Sequence, residues 1–207
     1  MTKISLVRHG LVHNPDQVYY GRLPGFSLAD RGRAQAAAAG DYLAQTDVDA
    51  VYHSPMLRAF QTATIVHSRC AMTAPLEECA LLNEIFSPYD GHPVEEMERR
   101  NWDFYDGIAP PYEKPEDIAE RLVRFFDLAR QLHPGSHVVG VSHADPIAFA
   151  ILWAHGMTLS ADQRKQLQPC GVPDNYPAPA SISTFTFAAG YDRTLVDFQY
   201  YAPNPSR

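Results

Sequence analysis

Apolar and polar positions along this chain alternate between two periods, and the places where the period changes outline its elements. Residues 4–7 form a short apolar run that stops at Arg8-His9-Gly10, the pattern of a buried strand delivering polar side chains at its C-terminal end. Residues 14–26 hold prolines, glycines and tyrosines without periodicity and read as a loop. An alanine-rich helix is expected over 30–45 and a strand over 49–53. Ser54-Pro55 then opens a helix, with serine at the N-cap, proline at the first helical position and Arg58 in the first turn. A third strand is expected over 76–82. From 87 to 115 the chain is rich in aromatics, proline and charge, as expected of an excursion that covers something. Helical periodicity returns over 116–132, a strongly apolar strand follows at 137–141, and 146–154 continues as an apolar helix. Alternating runs at 181–187 and 194–200 read as strands, after a proline-rich loop over 170–180. Strands alternating with helices imply an α/β fold, a three-layer α/β/α sandwich with a largely parallel central sheet.

Composition narrows the function classes. At 207 residues with 45% hydrophobic positions, the chain can bury one sizeable core, so a single domain over 1–207 is expected, with a lid segment around 86–115. A net charge of -7 argues against nucleic acid as a partner, which would need a basic surface. Cys70, Cys79 and Cys170 form no CxxC pair, so neither a disulfide framework nor a cysteine zinc site is expected, and a reducing compartment fits. The N-terminus lacks the apolar run of a signal peptide and no later run reaches membrane-spanning length, so the expectation is a cytoplasmic protein without a membrane partner. His9 and His13, like His133 and His137, are four apart. Gly10 breaks the first pair and Pro134-Gly135 the second, so no metal site is expected. Oligomeric state leaves no signature.

In an open α/β sheet, ligands bind at the carboxyl ends of the parallel strands. Arg8-His9-Gly10, Ser54-Pro-Met-Leu-Arg58-Ala-Phe-Gln-Thr62-Ala63 and Val141-Ser-His143 all fall at such ends. Together, and in this order, they resemble the histidine phosphatase superfamily, also called phosphoglycerate-mutase-like. The resemblance runs from residue 3 to about 155 and takes in Leu28, Gly32, Gln35 and Ala36. It implies a phosphoglycerate-mutase-like fold and metal-independent hydrolysis of phosphate monoesters through a phosphohistidine on His9, with no cofactor. The substrate would be a small-molecule phosphate ester, and a phosphoprotein also fits.

The residue types suit that chemistry. Neutral imidazole attacks phosphorus well when a partner holds one ring nitrogen protonated, the role of His9. A phosphoryl group in transit spreads charge over three oxygens and needs planar donors, which Arg8 and Arg58 supply. His143 adds a donor once a phosphate dianion favours its protonation. The resemblance places a general acid/base at Glu84, within Leu82-Asn83-Glu84-Ile85. It also points to Asn14, Gly21 and Ala144 as substrate-contacting positions, and Arg22 is available for a second anionic group. The chain departs from the family at Leu11-Val12, where many members carry Glu-Thr, and at Ala144-Asp145-Pro146, where many have glycine after the late histidine. Asp145 is expected to add negative charge near the anion site and narrow the accepted substrates. Two alternatives stand beside hydrolysis: a cofactor-dependent phosphoglycerate mutase, whose paired arginines and prolines Arg99-Arg100 and Pro110-Pro111 faintly match, and a noncatalytic phospho-ligand-binding module.

Overall fold

A computed structural model describes residues 1–71, 76–190 and 193–203. Its six strands, β1 (Thr2–Arg8), β2 (Ala50–His53), β3 (Leu76–Glu78), β4 (His137–Ser142), β5 (Ile182–Phe187) and β6 (Leu195–Tyr201), form one sheet in the order β3-β2-β4-β1-β5-β6. β3, β2, β4 and β1 are mutually parallel, while β5 is antiparallel to both β1 and β6. Five helices, α1 (Asp30–Leu43), α2 (Leu57–Arg69), α3 (Val94–Arg99), α4 (Pro115–Leu132) and α5 (Ala144–Ala154), complete the three layers. None is long and apolar enough to cross a membrane.

Period-two alternation sorts the strand residues between two cores. Ile4, Leu6 and Val138 face α4 and α5, packing with Phe125, Phe126 and Phe149. Val7, Val139 and Val141 face the opposite side with Ala39 and Leu43 of α1 and Ala59, Ala63 and Val66 of α2. Each fully buried large side chain of this kind contributes roughly 1.5–3 kcal/mol. Small residues let α1 lie close: a Cβ on Gly10 would sit 2.3 Å from the carbonyl oxygen of Gly32, so the turn after β1 passes directly under the helix. Pairing in register brings Arg8 opposite Ser142, and His53 opposite Val141. The carboxyl ends of β1, β2 and β4 therefore open at one level.

Three elements differ from expectation. The third strand stops at Glu78, and a 3-10 turn at Ala80–Leu82 follows. Leu82 and Ile85 bury themselves, and the Leu82 carbonyl accepts a hydrogen bond from Ser142 Oγ at 2.7 Å, so the chain dives toward the ends of the neighbouring strands. Helix α2 starts at Leu57 rather than at Pro55, with Met56 as its N-cap. Ser54 Oγ is engaged by His143 at 2.7 Å and by the Met56 amide at 3.3 Å, so it serves the strand ends as well as the turn. The excursion contains α3, a short helix whose Met97 is fully buried.

Candidate active site

His9 follows β1 and is 3% exposed. Its Nδ1–H donates to the Gly10 carbonyl at 2.8 Å, which leaves Nε2 as the acceptor of a hydrogen bond from Arg58 Nε at 3.2 Å. Burial, then the charges of Arg58 and Arg8, push its pKa well below the usual imidazole value, so the ring is neutral with its lone pair on Nε2. Arg58, the second residue of α2, is 1% exposed. Its Nη2 lies 2.7 Å from the Gly21 carbonyl, 3.1 Å from His143 Nδ1 and 3.4 Å from Glu84 Oε2, and Tyr20 covers its face at 4.7 Å. Thr62, one turn along, donates to the Arg58 carbonyl at 2.8 Å and accepts from the Gly10 amide at 3.1 Å, tying helix to loop.

His143 closes β4 and precedes α5. Its Nε2 faces Ser54 Oγ, and Ser54 in turn donates to Asn83 Oδ1 at 3.5 Å, so the neutral ring carries its proton on Nε2. Burial, Arg58 and His9 hold its pKa well below the usual value. Glu84 is 8% exposed, and its Oε1 accepts from the Ile85 amide at 2.9 Å. Burial raises its pKa against the opposing pull of Arg58, so the carboxyl leans toward its protonated form. Arg22 Nε, at 2.8 Å, and Arg121 Nη2, at 3.5 Å, both donate to the Glu84 carbonyl and fix this segment from behind. Arg8 donates to the Pro177 carbonyl at 2.6 Å, while its buried Nε has no hydrogen-bond partner among the described residues, an unsatisfied cationic donor beside His9.

The structure thus gathers Arg8, His9, Arg58, Glu84 and His143 from four separate stretches of chain. Arg8, His9 and Glu84 line a cleft of about 580 Å³ together with Asn14 and Ala144, while Arg58 and His143 sit buried behind His9 and Glu84. Asn14 spends its side chain on the Val18 backbone, at 2.9 and 3.3 Å, and so shapes the loop over the cleft. Gly21 contributes its carbonyl to Arg58, and a side chain there would collide with Asp90. Arg22 stands apart from the cleft, in an ion pair with Glu113 at 2.8 Å and over the Phe86 ring. Asp145 does not present the free negative charge expected of it. It is 4% exposed and accepts from Arg164 Nε at 2.8 Å, from Tyr105 at 2.5 Å and from the Tyr176 hydroxyl. Tyr20 and Arg121 were not singled out by sequence, while Ser54, read there as an N-cap, and Asn83 lay within the motifs without a role in the site. Thr62 lay within the motif, but its bridging role depends on a residue 52 positions away.

One atom each from His9, Glu84 and His143 lie within 4.8 Å of one another, a spacing that would suit a metal ion. Arg58, however, is bonded to all three, and a divalent ion placed there would meet its charge. The donor set fits an anion better than a cation.

Residues 4–173 match the model of the Histidine phosphatase superfamily (branch 1). The Mycobacterium tuberculosis protein Rv0525 is 39% identical over 98% of this chain and 96% of its own. The Bacillus subtilis phosphatase PhoE is 30% identical over 71% of this chain and 74% of its own, and phosphoserine phosphatase 1 of Hydrogenobacter thermophilus is 28% identical over 77% and 79%. Among solved structures, Bacillus stearothermophilus YhfR superposes with a TM-score of 0.77 at 21% identity, covering 94% of both chains. Mycobacterial glucosyl-3-phosphoglycerate phosphatase superposes at 0.74 and 20% identity, covering 99% of both. With its strand-end residues converging as the motif order implied, and with this match over most of its length, the chain belongs to the histidine phosphatase superfamily.

Proposed function

We propose that this protein hydrolyses small phosphate monoesters through a phosphohistidine on His9, without a metal ion. The observation that carries the reading is the neutral His9, locked by Gly10 so that Nε2 turns toward a single arginine that also touches His143 and Glu84. Nε2 attacks phosphorus, the bond to the ester oxygen breaks, and protonated Glu84 gives its proton to the leaving oxygen. Arg58 and Arg8 hold the equatorial oxygens. The arriving dianion draws a proton onto His143, which becomes a further donor. Glu84, now a carboxylate, takes a proton from water as the water oxygen attacks phosphorus. The P–N bond breaks, phosphate leaves, and His9 regains its lone pair.

Hydrolysis is favoured over transfer to a phosphoglycerate because the further anionic groups of that substrate would need several available cations, and among the described residues lining the cleft only Lys165 is left beside the phosphoryl-binding arginines. Arg22 is paired with Glu113 and Arg164 with Asp145. Relatives named as phosphatases of phosphoserine and of a sugar phosphoglycerate support a small phosphorylated substrate. We read residues 1–207 as one domain in which 86–115 covers the cleft. The test is phosphate release from an aryl phosphate in EDTA, with rapid-quench trapping of labelled enzyme, for wild type and His9→Ala. Wild type should turn over and label, whereas the variant should lose at least a thousandfold in rate, an order of magnitude typical of deleting a nucleophile, and carry no label. Labelling that persists in His9→Ala, or activity lost in EDTA and restored by a divalent ion, would sink the mechanism.

A further inference from the structure

Beyond the phosphoryl end, where Tyr20 lies over Arg58, the cleft is walled by four further aromatic residues: Tyr19, Trp102, Phe104 and Tyr176. Phe104 stacks on Tyr19 at 4.5 Å, and Trp102 meets Phe104 edge-on at 6.2 Å. Of the two cations in this half, only Arg164 is held by a carboxylate among the described residues. Arg164 is ion-paired with Asp145 at 2.8 Å, and Lys165 Nζ donates to the Asn101 carbonyl at 2.6 Å. Asp174 stands exposed at the rim.

Trp102 is held there against the preference of its own backbone. Asn101 and Trp102 have φ of 51° and 56°, two consecutive left-handed residues, and for a bulky indole this is a strained conformation. Hydrogen bonds enforce it from three directions. The Trp102 amide donates to Met97 at the end of α3 at 2.7 Å, Lys165 grips the Asn101 carbonyl, and Arg164 grips the Trp102 carbonyl. Arg164 is anchored in turn by Asp145, two residues after His143, so the indole is braced from the same helix start that carries the phosphoryl-binding histidine. Strain maintained by a buried ion pair and aimed into a cleft is a mark of function rather than of packing.

We infer that Trp102 is a specificity-determining residue that grips the leaving group, and that the preferred leaving group is flat and aromatic. The inference rests on the hydrolase reading for the orientation of the ester, with the phosphoryl group at His9 and the alcohol portion along the aromatic wall. A planar ring finds faces and edges to pack on along that wall.

KM values for 1-naphthyl phosphate, 4-carboxyphenyl phosphate and glycerol 2-phosphate in wild type, Trp102→Ala and Trp102→Phe test this. Wild type should bind the naphthyl ester most tightly. Trp102→Ala should raise its KM on the order of tenfold, as loss of an aromatic contact does, while the KM for glycerol 2-phosphate and the kcat for both stay near wild type. Trp102→Phe should recover most of the loss, which a collapsed wall would not. Equal KM increases for the naphthyl and glycerol esters, or a glycerol ester bound as well as either aromatic ester, would overturn the inference. Calorimetric binding of the naphthyl and glycerol esters to His9→Ala separates the two readings. A naphthyl preference there with no wild-type turnover overturns the hydrolase and keeps the cleft, whereas no preference overturns the cleft alone.

Discussion

The two ends of the cleft each contain an arginine that is 1% exposed and a carboxylate within ion-pair distance, yet they are built for opposite purposes. Arg164 lies 2.8 Å from Asp145, and two tyrosine hydroxyls complete the shell of that carboxylate. Burial is the largest single influence on Arg164 and works against its charge, but Asp145, Tyr105 and Tyr176 together outweigh it and raise its pKa. Arg58 sits 3.4 Å from a Glu84 whose pKa is raised, so its positive charge is only loosely answered. Its other contacts are uncharged: the Gly21 carbonyl, the Tyr20 ring and two imidazoles that are both held neutral. A buried cation with a tight partner braces structure, while one with neutral neighbours and a half-committed carboxyl is ready for an anion.

Breaking the closed end should cost most. Arg164→Met leaves Asp145 buried without its cation, and about 3–5 kcal/mol of stability should be lost in denaturant unfolding. Replacing Asp145 with leucine in the same chain should recover part of it, and an unchanged midpoint in the single variant would show that the pair is not closed. Breaking the open end should affect activity more than stability. Arg58→Ala should forfeit about 2.7–4 kcal/mol of transition-state stabilisation, read as kcat/KM for an aryl phosphate, with the thermal midpoint as control.

The pH profile sharpens the contrast further. The proposed reaction needs a neutral His9, and its lowered pKa keeps it so to more acidic pH than an ordinary histidine. It needs a protonated Glu84, and the raised pKa keeps that carboxyl protonated to higher pH than an ordinary glutamate. The productive form is therefore most abundant in mildly acidic solution, and kcat/KM for glycerol 2-phosphate should fall on both sides. Glu84→Gln should lower it on the order of a hundredfold and abolish the alkaline limb while keeping the acid one. A retained alkaline limb would assign the acid to another group. The smallest effect belongs to Arg22→Ala: its partly exposed pair with Glu113 contributes below about 1 kcal/mol, Arg121 still holds the Asn83 and Glu84 carbonyls, and KM should change little because Arg22 does not line the cleft.

Much of the phosphoryl end was legible along the chain. Arg8, His9 and His143 follow apolar strands, and parallel strands point their ends one way, so their convergence follows from pattern alone. Arg58 follows from the helix after β2, even though that helix begins two residues later than Ser54-Pro55 implied, because one turn of helix still delivers the side chain to the same place. Glu84 was reached through resemblance, since β3 ends at Glu78 and only the buried Leu82 and Ile85 direct the chain inward. Asp145 was read as negative charge near the anion site, and its pairing was not legible because its three partners lie 19 to 40 positions away in irregular segments.

Local periodicity and strand-end chemistry therefore determined the layered fold, the strand-end positions of Arg8, His9 and His143, and the cationic character of the site. These follow from interactions repeating every two or four residues, which one dimension records. Only the tertiary structure decided which charges stay available. Whether a buried arginine is spent or free depends on desolvation and on partners from segments with no periodic pattern, such as Glu84, Tyr105 and Tyr176, whose spacing in sequence bears no relation to their spacing in the fold.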